Sequence, residues 1–181
     1  MKNIVLNVAA LAVCGAGFAV AGPVGAPVEP KNPIMTVPNC YQAGELVVKP
    51  FFNITIFDDV GDHSFDDDTF YGGGLAVDYR YTDRFAVGLE GSWIDTPSVI
   101  HNYNVNLTYR LTDPASCLSL YALGGGGVFT NGSTEGAAHI GGGVEYRLSD
   151  TFGVFADGRY TWIDGGDTTA TVVRIGVSLN L

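Results

Sequence analysis

The stretch from Gly143 to Trp162 alternates at period two, as two strands around a short turn at Ser149-Asp150. Before the turn, Ile140, Gly142, Val144, Tyr146 and Leu148 share one face, and Gly141, Gly143, Glu145 and Arg147 share the other. After it, Phe152, Val154, Ala156, Tyr160 and Trp162 lie opposite Gly153, Asp157, Arg159 and Thr161. A soluble sheet buries its apolar face and wets its polar one. Here the charges sit among glycines, which suits a cramped interior, and the aromatics crowd towards the strand ends. Such a pattern belongs to strands that cross a lipid bilayer around a polar lumen.

The turn signature occurs three times. Tyr79-Arg80-Tyr81-Thr82-Asp83, Tyr109-Arg110-Leu111-Thr112-Asp113 and Tyr146-Arg147-Leu148-Ser149-Asp150 all read Tyr-Arg-apolar-Thr/Ser-Asp. Their spacing is about one hairpin plus a far-side loop. Turns joining strands two to three, four to five and six to seven imply an eight-stranded antiparallel meander. The predicted fold class is all-β, an up-and-down transmembrane barrel.

The 181 residues suffice for one domain, and only 15% are charged against 46% hydrophobic. No run after residue 21 reaches the ~18 apolar residues of a spanning helix. A net charge of −10 argues against a nucleic-acid partner. Residues 1–21 carry Lys2, an apolar stretch and Ala19-Val20-Ala21, which reads as a cleaved secretory signal. A retained anchor is the rival. Residues 22–44 hold Pro23, Pro27, Pro30, Pro33 and Pro38, a linker that either lies on the periplasmic side or plugs the barrel floor. The barrel itself is expected over 45–181. Cys40 and Cys117 both fall on the turn side; a disulfide pinning the linker and two free thiols are the alternatives.

Strand one, about 45–57, turns Leu46, Val48, Phe52, Ile54 and Ile56 one way and Glu45, Lys49, Asn53 and Thr55 the other. Strand two, 70–81, places Tyr71, Leu75, Val77, Tyr79 and Tyr81 outward, with Gly72, Gly74, Ala76, Asp78 and Arg80 inward. Strand three, 85–94, puts Leu89 and Trp93 out and Gly88 and Glu90 in; strand four, 100–110, alternates Tyr103, Val105, Leu107 and Tyr109 with asparagines and Arg110. Strand five, 117–129, has weak phase across Gly124–Gly127 and is read with Tyr121, Leu123 and Phe129 outward. Strand eight, 169–181, turns Val173, Ile175, Val177, Leu179 and Leu181 out and Arg174, Gly176, Ser178 and Asn180 in. Three-residue turns would set Asp78 opposite Gly88, Glu90 opposite Ala76, Glu145 opposite Gly153 and Asp157 opposite Gly141.

On this phase Lys49, Arg80, Arg110, Arg147, Arg159 and Arg174 share the lumen with Glu45, Asp78, Glu90, Glu145 and Asp157. Unpaired charge there is costly, so extensive pairing is expected. A salt-bridged filling is the leading reading, with a narrow ion path or an acid–base pair as rivals. An eight-stranded barrel is just wide enough for its side chains, which disfavours a pore.

The far-side loops hold Asp58, Asp59, Asp62, Asp66, Asp67, Asp68 and His63 in the first, Asp95 in the second, Glu135 in the third, and Asp164 and Asp167 in the fourth, with no Lys or Arg. They read as a solvated acidic surface, with capture of divalent cations or another surface ligand as the sharper alternative. No EF-hand order is present. His63, His101 and His139 lack catalytic spacing, so neither an enzyme nor a cofactor is expected. His101 reads as an interface residue and His139 as a lumen-mouth residue near Arg159. Tyr71, Trp93, Tyr103, Phe129 and Trp162 form one expected aromatic girdle; Tyr79, Tyr81, Phe85, Tyr109, Tyr146 and Phe152 form the other.

With these turns, with Phe155-Ala156-Asp157-Gly158-Arg159-Tyr160 and with the terminal strand, the chain resembles the small eight-stranded outer-membrane barrels. That group includes the transmembrane domain of outer-membrane protein A and the opacity and adhesion proteins. In the last strand, Arg174, Gly176, Leu179 and Leu181 resemble the signal read by the barrel assembly machinery, although the family usually ends in an aromatic. The resemblance implies the outer membrane of a Gram-negative (diderm) bacterium, with lipid and lipopolysaccharide as surroundings. A structural or surface-interaction role through the loops is expected; a narrow ion or solute channel is the alternative.

Overall fold

The computed structural model describes residues 40–59, 69–164 and 168–181. The proposed leader, most of the linker and the middle of loop one fall outside them. Eight strands follow one another: β1 (Leu46–Asp59), β2 (Thr69–Arg80), β3 (Phe85–Asp95), β4 (Ile100–Arg110), β5 (Leu118–Asn131), β6 (Ser133–Arg147), β7 (Phe152–Ile163) and β8 (Thr168–Asn180). Each pairs antiparallel with its sequence neighbours, and β8 pairs back onto β1 to close the barrel. Closure removes every sheet edge, which a backbone in hydrocarbon requires. At the seam Pro50 lacks an N–H, and the β1–β8 ladder skips Lys49 and Pro50 before resuming at Phe51 opposite Gly176.

Period two sorts the walls. Leu89, Ile140, Ile175, Tyr71 and Trp93 are exposed, while Lys49, Asp78, Glu90, Glu145, Asp157 and Arg174 are buried. A face that is apolar and exposed, around an interior that is charged and buried, inverts a soluble fold. No helix among the described residues is long and apolar enough to cross a membrane.

Two of the three repeated turns share one construction. Thr82 Oγ1 accepts from the Phe85 amide at 3.0 Å, and Ser149 Oγ accepts from the Phe152 amide at 3.1 Å. The hydroxyl closes the turn, which is why Thr and Ser interchange there. In the third copy Thr112 Oγ1 instead accepts from Leu120, and Asp113 accepts from Ala115 within a longer connection.

Three expectations are corrected. Asp78 does face Gly88 and Ala76 does face Glu90, but Glu145 faces Phe155 and Asp157 faces Gly143. Both matching turns centre on their aspartates, Asp83 and Asp150, so the second register lies two residues from the predicted one. In β5, Tyr121, Leu123 and Phe129 point inward and are buried, while Leu118 and Leu120 take the outer face. The glycine run carries no phase; inner partners decide it, with Ser119 accepting from Arg110 Nε at 2.7 Å and Tyr121 donating to Asp157 at 2.9 Å. Phe129 therefore does not belong to the aromatic girdle. Finally, β5 and β6 run on to a tight turn at Gly132, with φ +74°, so Glu135 lies in a strand. Asn131-Gly132 is a hairpin signal.

Candidate functional site

The lumen fills in layers, because alternate side chains of eight strands meet at its axis. Lowest lies the turn-end layer. Glu45 takes both terminal nitrogens of Arg147, at 2.9 and 2.8 Å, and Arg80 Nε at 3.1 Å. Arg110 is buried without a carboxylate among the described residues; it donates to Ser119 and to the Asp83 carbonyl. Tyr41 fills the gap. Its ring centroid lies 3.5 Å from the Arg110 Cζ, 4.4 Å from that of Arg147 and 4.8 Å from that of Arg80. Its hydroxyl donates to the carbonyls of Cys117 and Glu145, at 3.1 and 3.2 Å. Cation–π attraction to this one ring offsets the mutual repulsion of the three cations.

The segment carrying Tyr41 is tied down on both sides. A disulfide joins Cys40 to Cys117, with Cα atoms 5.1 Å apart, and Arg147 donates to the Cys40 carbonyl. Gly44, at φ +89°, turns the chain into β1, a conformation glycine adopts without steric cost. Residues 40–44, the end of the proline-rich stretch, thus floor the barrel. Burial, with Glu145 second, pushes the Tyr41 phenol up to about 12.

Above this floor Lys49 bridges Asp78 at 2.9 Å and Glu145 at 3.2 Å. Next comes a four-membered network. Arg174 grips Asp157 through Nε at 2.7 Å and Nη2 at 2.5 Å, and reaches Glu90 at 2.5 Å. Arg159 makes a fork onto Glu90 at 3.1 and 2.7 Å, and Asn106 donates to the same carboxylate at 2.9 Å. His139 sits 2.8 Å from Asn106 Oδ1 and shares a small void with Arg159. It lies within the lumen, below the mouth where the spacing placed it. Bidentate geometry and shared hydrogen bonds are what make buried ions tolerable.

Rings and glycines complete the packing. Phe51 and Phe155, neither of which was assigned to the lumen from the sequence, point inward, and their ring centroids lie 4.8 and 5.7 Å from the Arg174 Cζ. Gly88 leaves room for Asp78, whose carboxylate a Cβ there would meet. Voids among these layers measure about 10 to 20 Å³, room for roughly one water each.

Towards the loops the interior changes character. Asn53, Asn102, Asn104 and Thr55 are buried above the ions, and over them Phe57, Ile94, Phe129, Ile163, Ala170 and Val172 form an apolar layer. None of the six was assigned to the lumen from the sequence, and Phe129 was expected outside; their coming together at one height was not legible there. This layer separates the charged network from the loop end.

Among the described residues, no three His, Cys, Asp or Glu side chains are gathered to hold a metal. Asp58 is exposed at the end of β1 and Asp59 closes that strand. Asp62, Asp66, Asp67, Asp68, Asp167 and His63 lie outside the described residues. In the terminal strand Arg174 and Gly176 face the lumen, whereas Leu179 and Leu181 are exposed outside.

The arrangement has relatives. Residues 42–180 match the family described as outer membrane protein beta-barrel domain. The chain belongs to that family. This outer-membrane barrel superposes on the N-terminal β-barrel domain of Pseudomonas aeruginosa OprF with a TM-score of 0.59 and 17% identity, covering 77% of this chain and 98% of that one. Neisserial surface protein A gives 0.60 and 17%, over 76% and 99%. Ail, the attachment invasion locus protein of Yersinia pestis, gives 0.56 and 16%, over 77% and 100%. At such identities the likeness is one of fold. Comparison with curated proteins gave no match.

Proposed function

We propose that this barrel is a closed integral protein of the outer membrane of a Gram-negative bacterium. It reaches that membrane after residues 1–21 are removed, and it acts structurally or by surface interaction through its acidic loops. Its interior supports this reading. Ion pairs at 2.5 to 3.2 Å fill the lumen, an apolar layer covers them towards the loops, and Tyr41 covers them towards the turns. A path for ions would have to cross both covers and break a paired charge on the way. Lipopolysaccharide and lipid would surround the exposed wall, and the assembly machinery would read Arg174, Gly176, Leu179 and Leu181 before closure turns Arg174 inward. No catalytic role is proposed.

Single-channel recording of the refolded mature chain in a planar bilayer tests the closed lumen. Electrical silence is the expected result. Steady cation-selective steps would replace the reading with a narrow channel.

A further inference from the structure

The repeated turn motif has one destination. Each copy carries an arginine, and Arg80, Arg110 and Arg147 are all buried and converge on Tyr41, their Cζ atoms 4.8, 3.5 and 4.4 Å from its ring centroid. Glu45 serves Arg80 and Arg147, and Lys49 above them is shared by Asp78 and Glu145. Four cations thus stand against three carboxylates in these two layers. In the network above, Arg159 and Arg174 balance Glu90 and Asp157. Among the described residues, the surplus positive charge of the lumen therefore lies at its floor. There Arg110 takes a neutral ring where its neighbours take a carboxylate, and Arg147 Nε is buried with no hydrogen-bond partner. Guanidinium forks converging on one position form the donor set that recognises a tetrahedral oxyanion. A phenol ring takes up more room than such an anion, so the place held by Tyr41 is large enough for one.

Tyr41 is not part of the barrel wall. Residues 40–44 form no strand, and the disulfide ties them to Cys117, just ahead of β5 and 77 positions away in sequence. Both cysteines are partly exposed at the turn end, within reach of a dithiol. We infer that the three arginines form a site for a small tetrahedral oxyanion, which Tyr41 masks for as long as the Cys40–Cys117 disulfide holds it. A dithiol reductant opens this latch by exchange. Its first thiolate attacks one sulfur and displaces the other cysteine; its second resolves the mixed disulfide, leaving two cysteine thiols and an oxidised reductant. The ring can then swing out and the anion enter. The arginines lie inside the lumen, away from the headgroups around the wall, so the anion comes from the water on the turn side. The apolar layer at the far end stays in place, so the site fills whether or not the barrel conducts.

The experiment titrates inorganic phosphate into the refolded chain in phosphate-free maltoside micelles. The side-chain Nε–H signals of Arg80, Arg110 and Arg147 give position and affinity together. Reduction with dithiothreitol, which needs no substitution, should bring saturable binding at least about tenfold tighter than any in the oxidised chain, the worth of one charge-assisted hydrogen bond. Cys40→Ser with Cys117→Ser should bind as the reduced chain does. Tyr41→Ala should bind in either redox state, and adding Arg110→Gln should remove that binding. No saturable binding in Tyr41→Ala, or binding that survives Arg110→Gln, would overturn the site. Equal binding by the oxidised and reduced chains, or binding by Tyr41→Ala with none on reduction, would overturn the latch.

Discussion

Arg174 and Asp157, on adjacent strands and directly opposite in register, are joined by two parallel hydrogen bonds of 2.7 and 2.5 Å. Tyr121 donates to the same carboxylate at 2.9 Å. Asp157→Asn would leave Glu90 as the one carboxylate bonded to Arg174, in a place water hardly reaches. Breaking a buried pair costs about 3–5 kcal/mol, and the remaining Glu90 contact puts this variant at about 3. Urea unfolding of the refolded barrel in vesicles measures it. Asp157→Leu combined with Arg174→Met should recover part of the loss, because no charge is then stranded.

Tyr41 supplies a pH dependence. Its phenol ionises near 10.0 in the unfolded chain and is pushed up to about 12 in the folded one, by burial first and Glu145 second. The folded state therefore holds the proton more tightly. That stabilisation is complete below pH 10 and is lost as pH rises towards 12, on the order of 2 kcal/mol in all. Tyr41→Phe keeps the ring among the three guanidinium groups but gives up the hydroxyl, at about 1 kcal/mol near neutral pH. Unfolding midpoints of the two proteins should converge above pH 10 and cross before pH 12; parallel curves would show that the hydroxyl does not titrate as described.

Gly143 and Gly158 lie on neighbouring strands with opposite surroundings. A Cβ at Gly143 would stand 2.5 Å from the Asp157 Cβ and 2.6 Å from the Ala156 carbonyl oxygen, whereas one at Gly158 meets nothing within 4 Å. Gly143→Ala should cost about 1–3 kcal/mol through overpacking. Gly158→Ala should stay within about 0.5. The gel shift between unheated and boiled samples, followed against temperature, ranks the two.

Leu89 stands mid-strand in β3 and is 65% exposed, as a lipid-facing residue of a membrane wall must be. Leu89→Arg should cost about 2–4 kcal/mol in a bilayer, while Tyr81→Arg at the turn end should cost about 0–1. Equal costs would place both positions at the same depth and contradict the proposed orientation of the barrel across the membrane.

Period two alone located the strands, because in a closed barrel each side chain has only two environments, hydrocarbon or lumen. It placed Lys49, Asp78, Glu90, Glu145, Asp157 and Arg174 inside without any knowledge of contacts. It failed at β5, where Gly124 to Gly127 offer no side chain to sort. There the inner hydrogen bonds of Ser119 and Tyr121 settle the phase. Which charge meets which was beyond the sequence too. Arg159 and Glu90 lie 69 residues apart and join across the axis, and Arg110 is matched to a tyrosine ring rather than to a carboxylate. Alternation is a local property, set by the pleat of one strand. Partners and seals depend on how eight strands stagger around a common axis, and only the closed tertiary structure decides that.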